Sequence, residues 1–214
     1  MMQHSAPSND MHRRHGPRGF TLTEIAIVLA TIGLLVGGLW AVASDVWLSH
    51  RVRVTSQQLA ATAQNIRSIY ADLPGIKGTL LTATPALDQL KAFPPEMRQE
   101  AAGTYGNVFH IFSSTPVSGL GSVQVQADDC TGANPVTAAS CFDLTYYNMP
   151  QKPCEQLLLL SQPQGTGLAG VAVNPAGGPP YALVSPPLSL NNADAACTSA
   201  TANNMIWIYN LRDN

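Results

Sequence analysis

Residues Arg18 to Trp40 read RGFTLTEIAIVLATIGLLVGGLW, and one of them conflicts with the rest. Between Glu24 and Asp45 lie 20 residues without a charge, Ile25 to Ser44. As a helix rising 1.5 Å per residue they extend about 30 Å, the hydrocarbon thickness of a bilayer. Glu24 stands at the head of this segment, where a buried, unpaired carboxylate costs several kcal/mol. Ahead of it, His12-Arg13-Arg14-His15-Gly16-Pro17-Arg18 forms a basic flank. By the positive-inside rule that flank stays cytoplasmic and the remainder of the chain is translocated.

Composition agrees with export. Charged residues make up 11% of the 214, against roughly a quarter in an average soluble domain, and 17 glycines and 16 prolines point to a loop-rich fold. The first 19 residues hold three arginines and one aspartate, so the remainder carries 8 basic against 12 acidic side chains. No basic stripe is left to neutralise phosphates, which argues against nucleic-acid binding. Cys130, Cys141, Cys154 and Cys197 form no CxxC pair and have no histidine at zinc-ligand spacing. Beyond a membrane segment, an even count reads as two disulfides in an oxidising compartment, with three connectivities open.

An ordinary signal peptide ending at Ala41-Val42-Ala43, or a plain signal anchor, accounts for the apolar run. Neither accounts for Glu24 or for Gly19-Phe20 placed against Thr-Leu-Thr-Glu. Gly19-Phe20-Thr21-Leu22-Thr23-Glu24, followed by the apolar run, resembles the class III signal of type IV prepilins and pseudopilins. The resemblance implies cleavage after Gly19 by a prepilin peptidase and N-methylation of Phe20. Glu24 then becomes the fifth mature residue, facing the N-terminal amine of a neighbouring subunit and setting register during assembly. In low dielectric such a pair is strongly favoured once formed and costly when mismatched. Gly33-x-x-x-Gly37 permits close helix approach in a bundle, although membrane helices also tolerate glycine generally.

The resemblance divides the chain into a leader (1–19), a long helix (20–73, of which 20–44 spans the membrane or forms the filament core) and a globular domain (74–214). The expected fold is α+β, the long helix packed on an antiparallel sheet. Expected partners are like or related pilin subunits, the peptidase, and inner-membrane assembly machinery. The chain is expected in the bacterial inner membrane before assembly and in an extracellular pilus afterwards. A minor pilin or a type II secretion pseudopilin is the alternative within filament proteins; a secreted binding protein is the alternative outside them.

Past Asp45 the pattern turns amphipathic. Val52, Leu59, Ala63, Ile66 and Tyr70 recur at helical spacing up to Leu73-Pro74-Gly75, with Arg51, Arg53, Gln57, Gln58 and Arg67 largely elsewhere. A short helix is predicted near Thr84–Ala92 in a connecting region. Strands are predicted over Asn107–Phe112, Ser122–Ala127, Cys141–Tyr147, Leu168–Val173, Tyr181–Val184 and Met205–Leu211. Proline at 150 and 153 opens a helix through Leu160. That helix start and the later cysteine resemble the globular domain of type IVb pilins, particularly the PilS-like group. The resemblance implies a Cys154–Cys197 bridge in the D-region, with Cys130–Cys141 closing a small loop.

No G-x-S-x-G, Walker, Rossmann or HExxH pattern is present, and no enzyme, cofactor or metal centre is expected. Asp128-Asp129 reads as a solvated turn rather than a calcium site. Tyr146, Tyr147, Trp207 and Tyr209 read as core aromatics rather than a stacking platform, and His50 and His110 as surface or satisfied core residues.

Overall fold

A charge-free apolar run favours helix over any alternative, because in it every backbone group is satisfied locally. In the computed structural model, which describes residues 20–70, 76–77, 84–99, 105–117, 119–128, 130, 138–161, 167–174, 183–184 and 189–211, that run opens α1. Helix α1 spans Leu22–Tyr70, 49 residues. By internal contacts the chain divides into Met1–Asp45 and Val46–Asn214. In the first unit, the large side chains Leu22, Ile27, Leu34, Leu39 and Trp40 are exposed on every side of the helix. Among the described residues α1 alone is long and apolar enough to cross a membrane.

The second unit contains the rest of α1 and the remaining elements. These are β1 (Ile76–Lys77), α2 (Thr84–Gln89), a 3-10 turn (Pro95–Met97), β2 (Val123–Asp128), β3 (Ala138–Ala139), β4 (Cys141–Met149), α3 (Gln151–Leu160), β5 (Leu168–Asn174), α4 (Leu190–Ala196) and β6 (Asn203–Asn210). Strands β1 and β3 form a small antiparallel pair, and the main sheet is antiparallel in the order β2-β4-β6-β5.

Val52, Leu59, Ala63, Ile66 and Tyr70 of α1 are all buried in one core with Val125, Leu144, Tyr146, Trp207 and Tyr209 of the sheet. The register sets Leu144 against both Val125 and Trp207, so the side chains beneath α1 come from adjacent strands in one row. The opposite sheet face is also covered: Cys141, Ala172, Ile206 and Ile208 form a second cluster. Strand β6 is therefore apolar along both faces from Met205 to Tyr209. Thr55, Gln58 and Thr62 of α1 are buried too, so Gln58 does not lie on the polar side that its chemistry suggested.

Three other expectations change. Asn107–Phe112 is not a strand. Phe109 N–H donates to Met97 O at 2.8 Å and Val108 O accepts from Val123, after which a turn from His110 to Ser113 ends the pairing. Gly121 is required here, since a Cβ would stand 1.8 Å from Val108 O. Of Tyr181–Val184, Leu183 makes only an isolated bridge to Ala172, and residues 181 and 182 lie outside the described set, as do Leu73-Pro74-Gly75. Asp128 is not a solvated turn: it is fully buried at the end of β2, opposite Cys141. Asp129 lies outside the described residues.

Helix α4 was not anticipated. Its sequence LNNADAA buries one residue, Ala193, and it forms because Ser189 Oγ accepts the Asn192 N–H at 3.3 Å and Cys197 anchors its end.

Candidate assembly surface

The start of α1 is built by Thr21. Its hydroxyl accepts the Glu24 N–H at 3.4 Å and its carbonyl accepts the same group at 3.0 Å. Thr21-Leu22-Thr23-Glu24 thus has the spacing of a capping box, a signal present in the sequence and missed in reading it. The backbone of Glu24 is occupied with starting the helix, while its carboxylate makes no ion pair among the described residues. A carboxylate in the first turn also meets the positive end of the helix dipole. Phe20 beside it is exposed. Gly19 lies outside the described residues. A Cβ built on Gly33, Gly37 or Gly38 would meet nothing within 4 Å. That face of the helix is open to close approach by another backbone.

In the second unit the structure joins Cys130 to Cys141 and Cys154 to Cys197. The second bridge holds α3 to the end of α4. Gln151 N–H donates to Ala200 O at 3.3 Å, bringing the loop after α4 onto the first turn of α3. Asn203, fully buried, organises this loop. Its Nδ2 donates to Met149 O (3.1 Å) and Ser199 O (2.6 Å), and its Oδ1 accepts Ser199 N–H at 3.0 Å. A polar residue at the head of an apolar strand is the only trace of this role in the sequence.

Of the four aromatics expected in the core, Tyr146, Trp207 and Tyr209 are buried, whereas Tyr147 points to the half-buried side of β4, where its hydroxyl lies 3.3 Å from Gln124 Oε1. Tyr146 stacks on His110 at 5.1 Å and meets Trp207 edge-on at 5.2 Å, and Phe142 stacks on Tyr209. Burial raises the phenols of Tyr146 and Tyr209 above their ordinary range, so neither titrates near neutrality. His50 is exposed on α1, and among the described residues no group of three metal-ligating side chains occurs.

In the second unit, then, the buried stripe of α1 from Val52 to Tyr70 lies against a four-stranded antiparallel sheet, and two disulfides tie the segments around it. The family model described as PilS N terminal matches residues 49–210. The chain therefore belongs to the PilS family. Among solved structures it is similar to a type IVb pilin from Salmonella typhi, at 20% identity and TM-score 0.43 over 73% of this chain and 96% of that one. It is also similar to TcpA, a type IV pilin from Vibrio cholerae El Tor biotype, at 12% identity and TM-score 0.47 over 74% and 98%. No curated protein matches it in sequence.

Proposed function

We propose that this pilin is a structural subunit of a type IVb-like pilus, cut after Gly19, N-methylated at Phe20 and polymerised through the first part of α1. Before assembly the span 20–44 holds it in the inner membrane with the domain from residue 74 onward on the far side. The peptidase and the assembly machinery of that membrane are its processing partners. The carrying observation is the first half of α1, apolar and exposed all round, with Glu24 at its head, whose carboxylate makes no ion pair among the described residues. A surface of that kind is covered either by lipid or by the like surface of other subunits, and burial favours both. Glu24 gains a partner only in the second setting, where the amine of Phe20 on a neighbouring subunit meets it.

Intact-mass measurement of the exported protein tests the processing. A methylated chain beginning at Phe20 is expected, whereas a start at Ser44 would show an ordinary signal peptide and remove the proposal. Glu24→Val is expected to leave leader cleavage intact and to lower the yield of sheared surface fibres by at least tenfold. Undiminished fibre yield would refute the pairing.

A further inference from the structure

His110 is buried, and its two ring nitrogens serve different backbone groups. Nε2 lies 2.8 Å from the Tyr147 carbonyl of β4, which can only accept, so Nε2 carries the proton. Nδ1 accepts the Phe112 N–H at 3.2 Å. Ser122 Oγ accepts the His110 N–H at 3.2 Å and donates to Ser113 O at 2.9 Å, closing the turn from below. From α1, Arg51 donates to Ile111 O and lays its guanidinium 4.6 Å over the Phe112 ring. Segment 110–113 is thereby clipped to β4 by His110 and to α1 by Arg51.

A second proton on His110 has one place to go, Nδ1. There it turns the acceptor of the Phe112 N–H into a donor, so that two N–H groups face each other. It also creates a buried cation. The groups facing the ring are Tyr146 and Tyr147 from β4 and Arg51 from α1; Lys152 of α3 lines the same groove as Arg51 and Phe112. The two charged groups are cations, and the two phenols supply no compensating charge. Burial lowers His110 to about 4, the Tyr147 carbonyl opposing this and Arg51 adding to it.

We propose that His110 is an acid-released latch: neutral, it holds segment 110–113 on β4; protonated, it frees that segment while the sheet stays folded. The sign follows from linkage. The open segment takes a proton near the ordinary 6.5 and the closed one near 4, so closure is at full strength above pH 6.5. It weakens as pH falls through that window, by up to about 300-fold in the open-to-closed ratio. This inference does not depend on filament formation.

Hydrogen exchange of the full chain in detergent, corrected for the intrinsic pH dependence of exchange, tests it. Peptides covering 110–113 are expected to lose protection between pH 6.5 and 4 while those from β4 and β6 keep it. His110→Gln, whose amide can serve both backbone groups without titrating, is expected to hold protection across the range. Equal loss in wild type and variant, or loss in step with the sheet, would overturn the latch. Should the variant not fold, the Cε1 resonance of His110 in the wild type decides. Titration near 4 supports the proposal, and titration near 6.5 overturns it.

Discussion

Trp207 Nε1–H donates to Ser161 Oγ at 2.7 Å, joining the central strand of the sheet to the residue that ends α3. The same hydroxyl donates to Leu157 O at 2.7 Å, so one serine satisfies both the buried indole and a helix-end carbonyl. Ser161→Ala leaves the indole N–H of a fully buried tryptophan without its acceptor. A loss of about 1–3 kcal/mol is expected in chemical denaturation of the full chain, with near-ultraviolet circular dichroism as the probe.

Asn203 makes three hydrogen bonds with one side chain. Asn203→Leu removes them and leaves Met149 O and the Ser199 backbone groups to find others. A destabilisation of about 2–4 kcal/mol is expected, together with earlier proteolysis in the loop from Ser199 to Ala202. Unchanged proteolysis there would show that the loop is held by the Cys154–Cys197 bridge instead.

Thr62 and Tyr146 carry buried hydroxyls with no hydrogen-bond partner among the described residues. Removing such a group without changing its shape relieves a desolvation cost. Thr62→Val and Tyr146→Phe are each expected to stabilise the protein by about 0.5–1.5 kcal/mol, read as an upward shift of the denaturation midpoint at constant slope. The opposite sign would show that a water serves them.

The two disulfides close loops of unequal length, with sequence separations of 11 and 43. On the chain-entropy account, replacing both cysteines by alanine costs about 3 kcal/mol for Cys130–Cys141 and about 4 kcal/mol for Cys154–Cys197. Denaturation under non-reducing conditions is expected to rank them in that order.

What was legible in the sequence followed from periodicity. Val52, Leu59, Ala63, Ile66 and Tyr70 declared the buried stripe of α1 because helical spacing leaves little choice of face. Met205–Leu211 declared a strand because β-branched and aromatic residues alternate there. Asn107–Phe112 carried the same local signal, but its partners are a turn and the lead-in to β2 rather than a strand edge, and partners are not written locally. Helix α4 was illegible because its stability comes from a serine cap and a distant cysteine. At the head of α1, Glu24 drew attention as a misplaced charge. Thr21 did not, since a cap three residues away looks like any other threonine.

Strand β6 lies between β4 and β5 and, among the described residues, is the strand that pairs with both. Both precede it in the chain, and neither touches the other. During synthesis, then, the two halves of the sheet are made first and wait, each with an unsatisfied edge, for the segment that joins them. A chain interrupted before Asn203 contains most of the core residues yet lacks the strand that unites them. Such a fragment should behave as a sticky, protease-sensitive species rather than as a slightly smaller subunit. Completion of the core is thereby tied to the last strand of this sheet to be made.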